Sequence, residues 1–266
     1  MDTILSSDGT PIAYRRRGEG PPVVLVGGAL STAGTDEPLA RLLAPHFEVV
    51  TYDRRGRGGS GEGGPYAVER EIEDLAAVAA AAGGRPAVFG SGAGGALVLE
   101  AAAAGLPADR LAVYEPPYAP GPAGLLFRAD RTARLDRLLA GGDRAGAVEL
   151  FLTVSGVPAS TVARMRRAPL WRNLESVAHT LAYDEALLGD GSVPADRLAA
   201  VGARTLVVCG GFSPVAARSA TLLLARALPR GRHRTLTGQT GEPAPQAVAP
   251  VLAEFFGRDA YARQAS

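Results

Sequence analysis

Short apolar runs alternate with longer stretches of helical period along most of this chain. Residues 22–26 (P-V-V-L-V), 47–52, 86–89 and 110–114 are β-branched, uniformly apolar and bounded by turn residues, which predicts buried strands. Apolar positions spaced three and four apart predict helices over 36–43, 68–82 and 93–104. The alternation resumes with a strand at 205–208, a helix at 215–228, a strand at 232–236 and a helix at 246–256. Strand and helix in turn predict an α/β fold, a mostly parallel twisted sheet flanked by helices.

Between the two halves the strand signal stops. Residues 118–196 predict four short amphipathic helices, at 125–139, 144–154, 159–167 and 171–188. An all-helical insertion after a strand of a parallel sheet is expected to cap the carboxyl ends of the strands, where such folds bind ligands. The expected organisation is therefore a core of 1–117 and 197–266 and a helical cap of 118–196.

Composition narrows the chemistry. The 28 basic residues of this 266-residue chain are all arginine, which excludes a lysine Schiff base and a P-loop lysine. One cysteine excludes an internal disulfide and a cysteine-cluster metal site, and three scattered histidines argue against a zinc site. A net charge of +1 gives no basic field for nucleic acid. No run of eighteen apolar residues predicts a membrane span, and the start (M-D-T-I-L-S-S-D-G) lacks a signal-peptide pattern, so a cytoplasmic protein is expected. No cofactor is expected, and the partner is a small-molecule substrate or ligand. The near-zero charge permits self-association, such as a homodimer, and leaves the oligomeric state open.

The segments V-V-L-V-G-G-A-L (23–30) and Y-D-R-R-G-R-G-G-S (52–60), with a glycine-rich strand-to-helix turn at Gly90, resemble the α/β-hydrolase fold over essentially the whole chain. The elements Y-E-P-P (114–117) and A-H-T-L-A-Y-D (178–184) are similar to those of a group of bacterial α/β hydrolases with a cap. The resemblance implies a nucleophile in G-x-S-x-G, then an acid, then a histidine. Here the turn reads V-F-G-S-G-A-G-G (88–95), which places Gly92 at the nucleophile position. Ser213 of C-G-G-F-S-P stands where an aspartate is common, and Gly241 of G-Q-T-G stands at the histidine position. A glycine can neither attack a carbonyl nor relay a proton. The resemblance also implies an oxyanion hole from the backbone N–H groups of Ala29 and Ala93, which glycine at 92 would leave in place.

Other residues bear on the site, each with a plainer reading. Glu115 is either a retained triad acid or a carboxylate paired with an arginine. Glu242 is a general base at the pocket mouth or a solvated loop residue. His179 and Tyr183, four apart in a predicted helix, either face the cleft together or pack cap against core. Ser91 adjoins the nucleophile position and is a candidate replacement nucleophile or substrate contact, but it points away from the tip of such a turn. Ser213 is expected to cap the following helix, with proline next. Tyr118, Phe127 and Trp171 either line an apolar substrate pocket or form the cap's interior, and Cys209 is expected to be inert packing.

G-S-G-A-G-G (90–95) also fits G-x-G-x-x-G, with Glu115 twenty residues beyond Gly95, as in dinucleotide-binding folds. Against that, two strands and two helices precede it. The residues lead first to a triad-less enzyme of non-hydrolytic type (cyclase, lyase or isomerase) acting on a small apolar carbonyl compound of specialised metabolism, with Glu115 or His179 as the acid/base. The alternatives are a non-catalytic binding or partner protein and a hydrolase using displaced residues.

Overall fold

The computed structural model describes residues 1–264. The chain opens with a hairpin, β1 (Asp2–Leu5) and β2 (Pro11–Arg17), and then enters the α/β alternation: β3 (Pro22–Val26), α1 (Glu37–Leu43), β4 (Glu48–Tyr52), α2 (Val68–Ala81), β5 (Ala87–Ser91), α3 (Ala93–Ala103) and β6 (Arg110–Tyr114). Five helices follow: α4 (Pro122–Ala140), α5 (Arg144–Val154), α6 (Ala159–Met165), α7 (Leu170–Ser176) and α8 (Leu181–Leu188). The short α9 (Ala195–Leu198) leads back to β7 (Arg204–Gly210), α10 (Val215–Ala227), β8 (Gly231–Leu236) and α11 (Pro245–Gln264).

The eight strands form one sheet in the order β1-β2-β4-β3-β5-β6-β7-β8, with β1 and β2 antiparallel and β3 to β8 parallel. A sheet buried on both faces needs apolar residues at every strand position. Val23 to Val26 and Leu111 to Tyr114 supply them, all at most 1% exposed. One face packs against α2, α3 and α10 through Leu75, Leu97 and Leu224. The other packs against α1 and α11 through Leu43 and Leu252.

The predicted α/β fold is the observed one, with differences at the margins. The β1–β2 hairpin has no counterpart in the predicted elements, because β2 ends in three exposed arginines and lacks the apolar run that marks a buried strand. The predicted helix 171–188 is broken: α7 ends at Ser176, Ala178–Thr180 makes one 3-10 turn, and α8 begins at Leu181. Thr180 sits at the junction, its hydroxyl turned back to the Val177 carbonyl oxygen (2.7 Å). α4 to α8 lie between β6 and β7 and build their own apolar cluster around Leu135, Val148, Trp171 and Ala178, which Leu30 of the loop after β3 enters. No described helix is long and apolar enough to cross a membrane.

Candidate active site

The centre of the sheet ends in a sharp bend. β5 stops at Ser91, α3 starts at Ala93, and Gly92 between them has φ +55° and ψ −125°, with its N–H bonded to the Tyr114 carbonyl oxygen (2.9 Å). The flanking glycines are sterically required. A β-carbon on Gly90 would overlap the backbone of Gly94 and Gly95. One on Gly94 would overlap the carbonyl oxygens of Val26 and Gly27. On Gly28 it would stand 2.9 Å from the Ser91 carbonyl oxygen. These glycines let the bend press against the loop after β3. That accounts for G-S-G-A-G-G as close packing of helix against loop.

Gly92 is different. A β-carbon there would meet only the Gly28 Cα, at 4.0 Å, so it would be accommodated without overlap. Neither the Ala29 nor the Ala93 N–H has a partner among the described residues, and Ala93 N–H opens the first turn of α3. A helix amino terminus beside a second free N–H favours an anionic oxygen.

Two non-glycine residues have positive φ among the described residues, Leu30 (+56°) and Glu115 (+42°), and both belong to this end of the sheet. Such backbones cost about 1–2 kcal/mol per residue and gather at functional sites. Leu30 is held by its side chain in the cap cluster. Glu115, immediately after β6, is held by its carboxylate: Oε1 accepts from the Gly210 N–H (2.7 Å) and from the Ser213 hydroxyl. Its Oε2 lies 3.4 Å from where a β-carbon on Gly241 would stand. The loop carrying Gly241 is itself tied down. The Tyr114 hydroxyl donates to the Thr240 carbonyl oxygen, and Phe212 N–H to that of Gln239 (2.8 Å).

Of the sequence candidates, the structure thus brings together Gly92, Ala29 and Ala93 at the bend, and Glu115, Ser213 and Gly241 beside it. Ser213 does not cap α10 as expected. Pro214 is the capping residue, and the serine hydroxyl is spent on Glu115. Nor is Glu115 paired with an arginine; no ion pair reaches it among the described residues. Glu242 is exposed in the same loop, with only its backbone oxygen engaged. Ser91 is the last strand residue, one position short of the bend.

His179 and Tyr183 stand apart from this group. The His179 Nε2 is 3.5 Å from Glu62 Oε1, its ring meets Tyr183 edge-on at 5.9 Å, and both rings border Gly56. Burial lowers the His179 pKa, and Glu62 opposes that. Tyr183 donates to Glu62 and stacks on Tyr66 at 4.0 Å. Trp171 is in the cap interior rather than lining a pocket, 4% exposed with its indole N–H on Glu175 (2.7 Å). Tyr118 is buried with the core cluster under the cap, whereas Phe127 on α4 is 61% exposed. Cys209 is fully buried, its sulfur 3.5 Å from His233 Nε2.

The charged network behind the site was not among the sequence candidates. Arg54, Arg55 and Arg57, in the loop after β4, are each 1% exposed. Arg57 grips Asp184 of α8 with one nitrogen at 2.9 and 3.0 Å and donates another N–H to the Gly28 carbonyl oxygen. Arg54 spans Glu71 and Asp184 (2.9 Å to the latter), and Arg55 pairs with Asp74 (2.7 Å). Burial disfavours the Arg54 charge, but Glu71 and Asp184 more than offset it and hold its pKa well above the ordinary value. The signal available in sequence was R-R-G-R directly after an apolar strand, with Glu71 and Asp74 three apart in the next helix.

The Alpha/beta hydrolase family model matches residues 23–251, and the chain belongs to that family. An α/β hydrolase from Sphaerobacter thermophilus is 55% identical, with a TM-score of 0.87 over 96% of this chain and 100% of the other. A hydrolase from Pseudomonas aeruginosa shares the fold at 24% identity, with a TM-score of 0.73 over 96% and 98% of the two chains. The uncharacterized hydrolase YraK of Bacillus subtilis is 38% identical over 102 residues, a match spanning 36% of this chain and 37% of that protein.

Proposed function

We infer that this α/β-hydrolase-family protein is a non-hydrolytic enzyme, a cyclase, lyase or isomerase, acting on a small, largely apolar carbonyl compound. The observation that carries the reading is the Glu115 carboxylate, held on a strained backbone by Gly210 and Ser213 beside a bend that lacks both hydroxyl and imidazole. A carboxylate retained in this way without a histidine to orient has a use of its own as acid/base.

In this reading the substrate oxygen sits at the N–H groups of Ala29 and Ala93. They stabilise the charge that develops as a proton leaves the adjacent carbon. Glu115 Oε2 takes that proton as a general base and returns it at another carbon, or leaves the enolate to expel a group or close a ring. Gly92 leaves room for the substrate where a hydrolase would place its nucleophile. His179, engaged with Glu62 and Tyr183, keeps the cap seam in place.

The test is mass spectrometry of a small-molecule extract incubated with catalytic amounts of the purified protein. One compound should be consumed and yield an isomer, or a product formed without addition of water. Turnover should fall ~10²-fold or more in Glu115→Gln. A compound retained one-to-one and released unchanged would instead make the protein a binder. Stoichiometric labelling by a serine-directed phosphonate would make it a hydrolase with a displaced nucleophile.

A further inference from the structure

Arginine gathers at the amino ends of β7 and β8. Arg204 opens β7, Arg230 directly precedes β8, and Arg232 is the second residue of β8. The parallel register sets them side by side. Thr205 N–H donates to the Arg230 carbonyl oxygen (3.1 Å), and Leu206 pairs with Arg232. All three arginines are exposed, and together with Gly231 they line one hollow of about 340 Å³. Among the described residues no acid lines it, and none of the three has an ion pair. The acids nearby are already engaged. Asp109, whose backbone oxygen accepts from the Arg204 N–H (3.3 Å), pairs through its carboxylate with Arg85, and Glu254 pairs with Arg234 (2.8 Å). Arg230 is steadied by a hydrogen bond to the Gly202 carbonyl oxygen (3.3 Å).

Three like charges around one hollow repel one another, and no carboxylate of the chain compensates them. An anion would. A phosphate monoester brings close to two charges and three terminal oxygens, enough to engage the N–H forks of more than one arginine, whereas a carboxylate is satisfied by one. Arg230 also lines a second hollow, of about 440 Å³, walled by Leu106, Pro107 and Val201 with the Arg85–Asp109 pair. We propose that the arginine hollow binds the phosphate group of a phosphate monoester, with the organic part of the ligand in the second hollow. Arg204 and Gly210, whose N–H meets Glu115, are the two ends of β7, roughly 20 Å apart at the rise of an extended strand. The phosphate site is therefore distinct from the candidate active site and stands or falls without it.

The probe is phenyl phosphate, and the comparison compound is benzoate, which has the same ring and a single charge. Calorimetric titration of the full chain should show saturable binding of phenyl phosphate, at least ~10-fold tighter than that of benzoate. Arg204→Gln and Arg232→Gln should each weaken phenyl phosphate ~10-fold, the scale of a lost charge-assisted hydrogen bond. Arg167→Gln, at an exposed arginine between α6 and α7, removes the same charge and should leave binding unchanged. Cosedimentation with phosphatidylcholine vesicles containing phosphatidic acid separates the two sources of this group. Phenyl phosphate binding without retention on the vesicles assigns a soluble ester, and retention that is lost in Arg204→Gln assigns a lipid headgroup; either sustains the site. No saturation, parity with benzoate, or equal binding by the parent chain, Arg204→Gln and Arg232→Gln would overturn it, as would an equal loss in Arg167→Gln. The arginines would then be charges that keep β8, the edge strand, from pairing with another chain.

Discussion

Arg57 and Asp184 form a two-pronged ion pair, at 2.9 and 3.0 Å, between the loop after β4 and the first turn of α8. Arg57 also holds the Gly28 carbonyl oxygen. One side chain therefore ties α8 of the helical insertion to the loop that carries Ala29.

Removing one partner of a buried pair strands the other charge, which typically costs about 3–5 kcal/mol. Asp184→Ala should lose about that much stability by urea denaturation, since Arg54 and Arg57 both lose a counter-ion. Its cap should also be cut faster by protease than that of the parent chain. A variant as stable as the parent would show that the pair does not hold the cap.

Introducing two side chains should confer hydrolysis. A β-carbon is accommodated at both Gly92 and Gly241, and at 241 it would stand 3.4 Å from Glu115 Oε2. The Gly92→Ser/Gly241→His variant should hydrolyse p-nitrophenyl acetate ~10²-fold or more faster than the parent and should accept a serine-directed phosphonate. Each single change should give far less, because triad residues act as a unit. Adding Glu115→Gln should remove most of the gain. A folded double variant that is inert and unlabelled would show that Glu115 is not in an acid's place.

The glycines of the bend should divide sharply. Gly94→Ala forces a methyl into the carbonyl oxygens of Val26 and Gly27 and should destabilise by about 3 kcal/mol or more. Gly202→Ala, with nothing within 4 Å and no positive φ, should be neutral or stabilise by about 0.5 kcal/mol. Thermal midpoints of the two variants are the measurement.

Asp36 gives a dependence on pH. Burial pushes its pKa up to about 7, and its Oδ2 has no hydrogen-bond partner. The unfolded chain ionises near pH 4 while the folded one keeps the proton, so stability should fall as pH rises from about 4 to about 7 and level off above that. The whole effect is up to roughly 4 kcal/mol. Asp36→Asn should flatten this slope and unfold at higher urea than the parent at pH 8. Identical slopes for the two proteins between pH 5 and pH 8 would refute it.

The fold was legible because a doubly buried parallel sheet writes itself as uninterrupted apolar strands, as at 22–26 and 110–114. The bend was legible because Gly90 and Gly94 are demanded by backbone overlap, which survives whatever residue stands between them. The seat of Glu115 was not legible. It depends on Gly210 N–H and the Ser213 hydroxyl, residues 95 and 98 positions away that only the sheet order brings alongside. The broken helix at 171–188 was hidden for a related reason. Its apolar residues keep helical spacing through Ala178–Thr180, and the interruption is a local tightening that propensity does not register.

The backbone at Gly92 has one more implication, concerning history. A serine in that left-handed conformation would hold about 1–2 kcal/mol of strain that a glycine does not. In a relative with serine at this position, exchange for glycine would release that strain, and no neighbour would have to move. The return step is uphill in stability. It also yields little until a histidine appears at 241. A lineage that crosses this point is held on the far side by the thermodynamics of its own bend, free to select new chemistry on an unaltered scaffold.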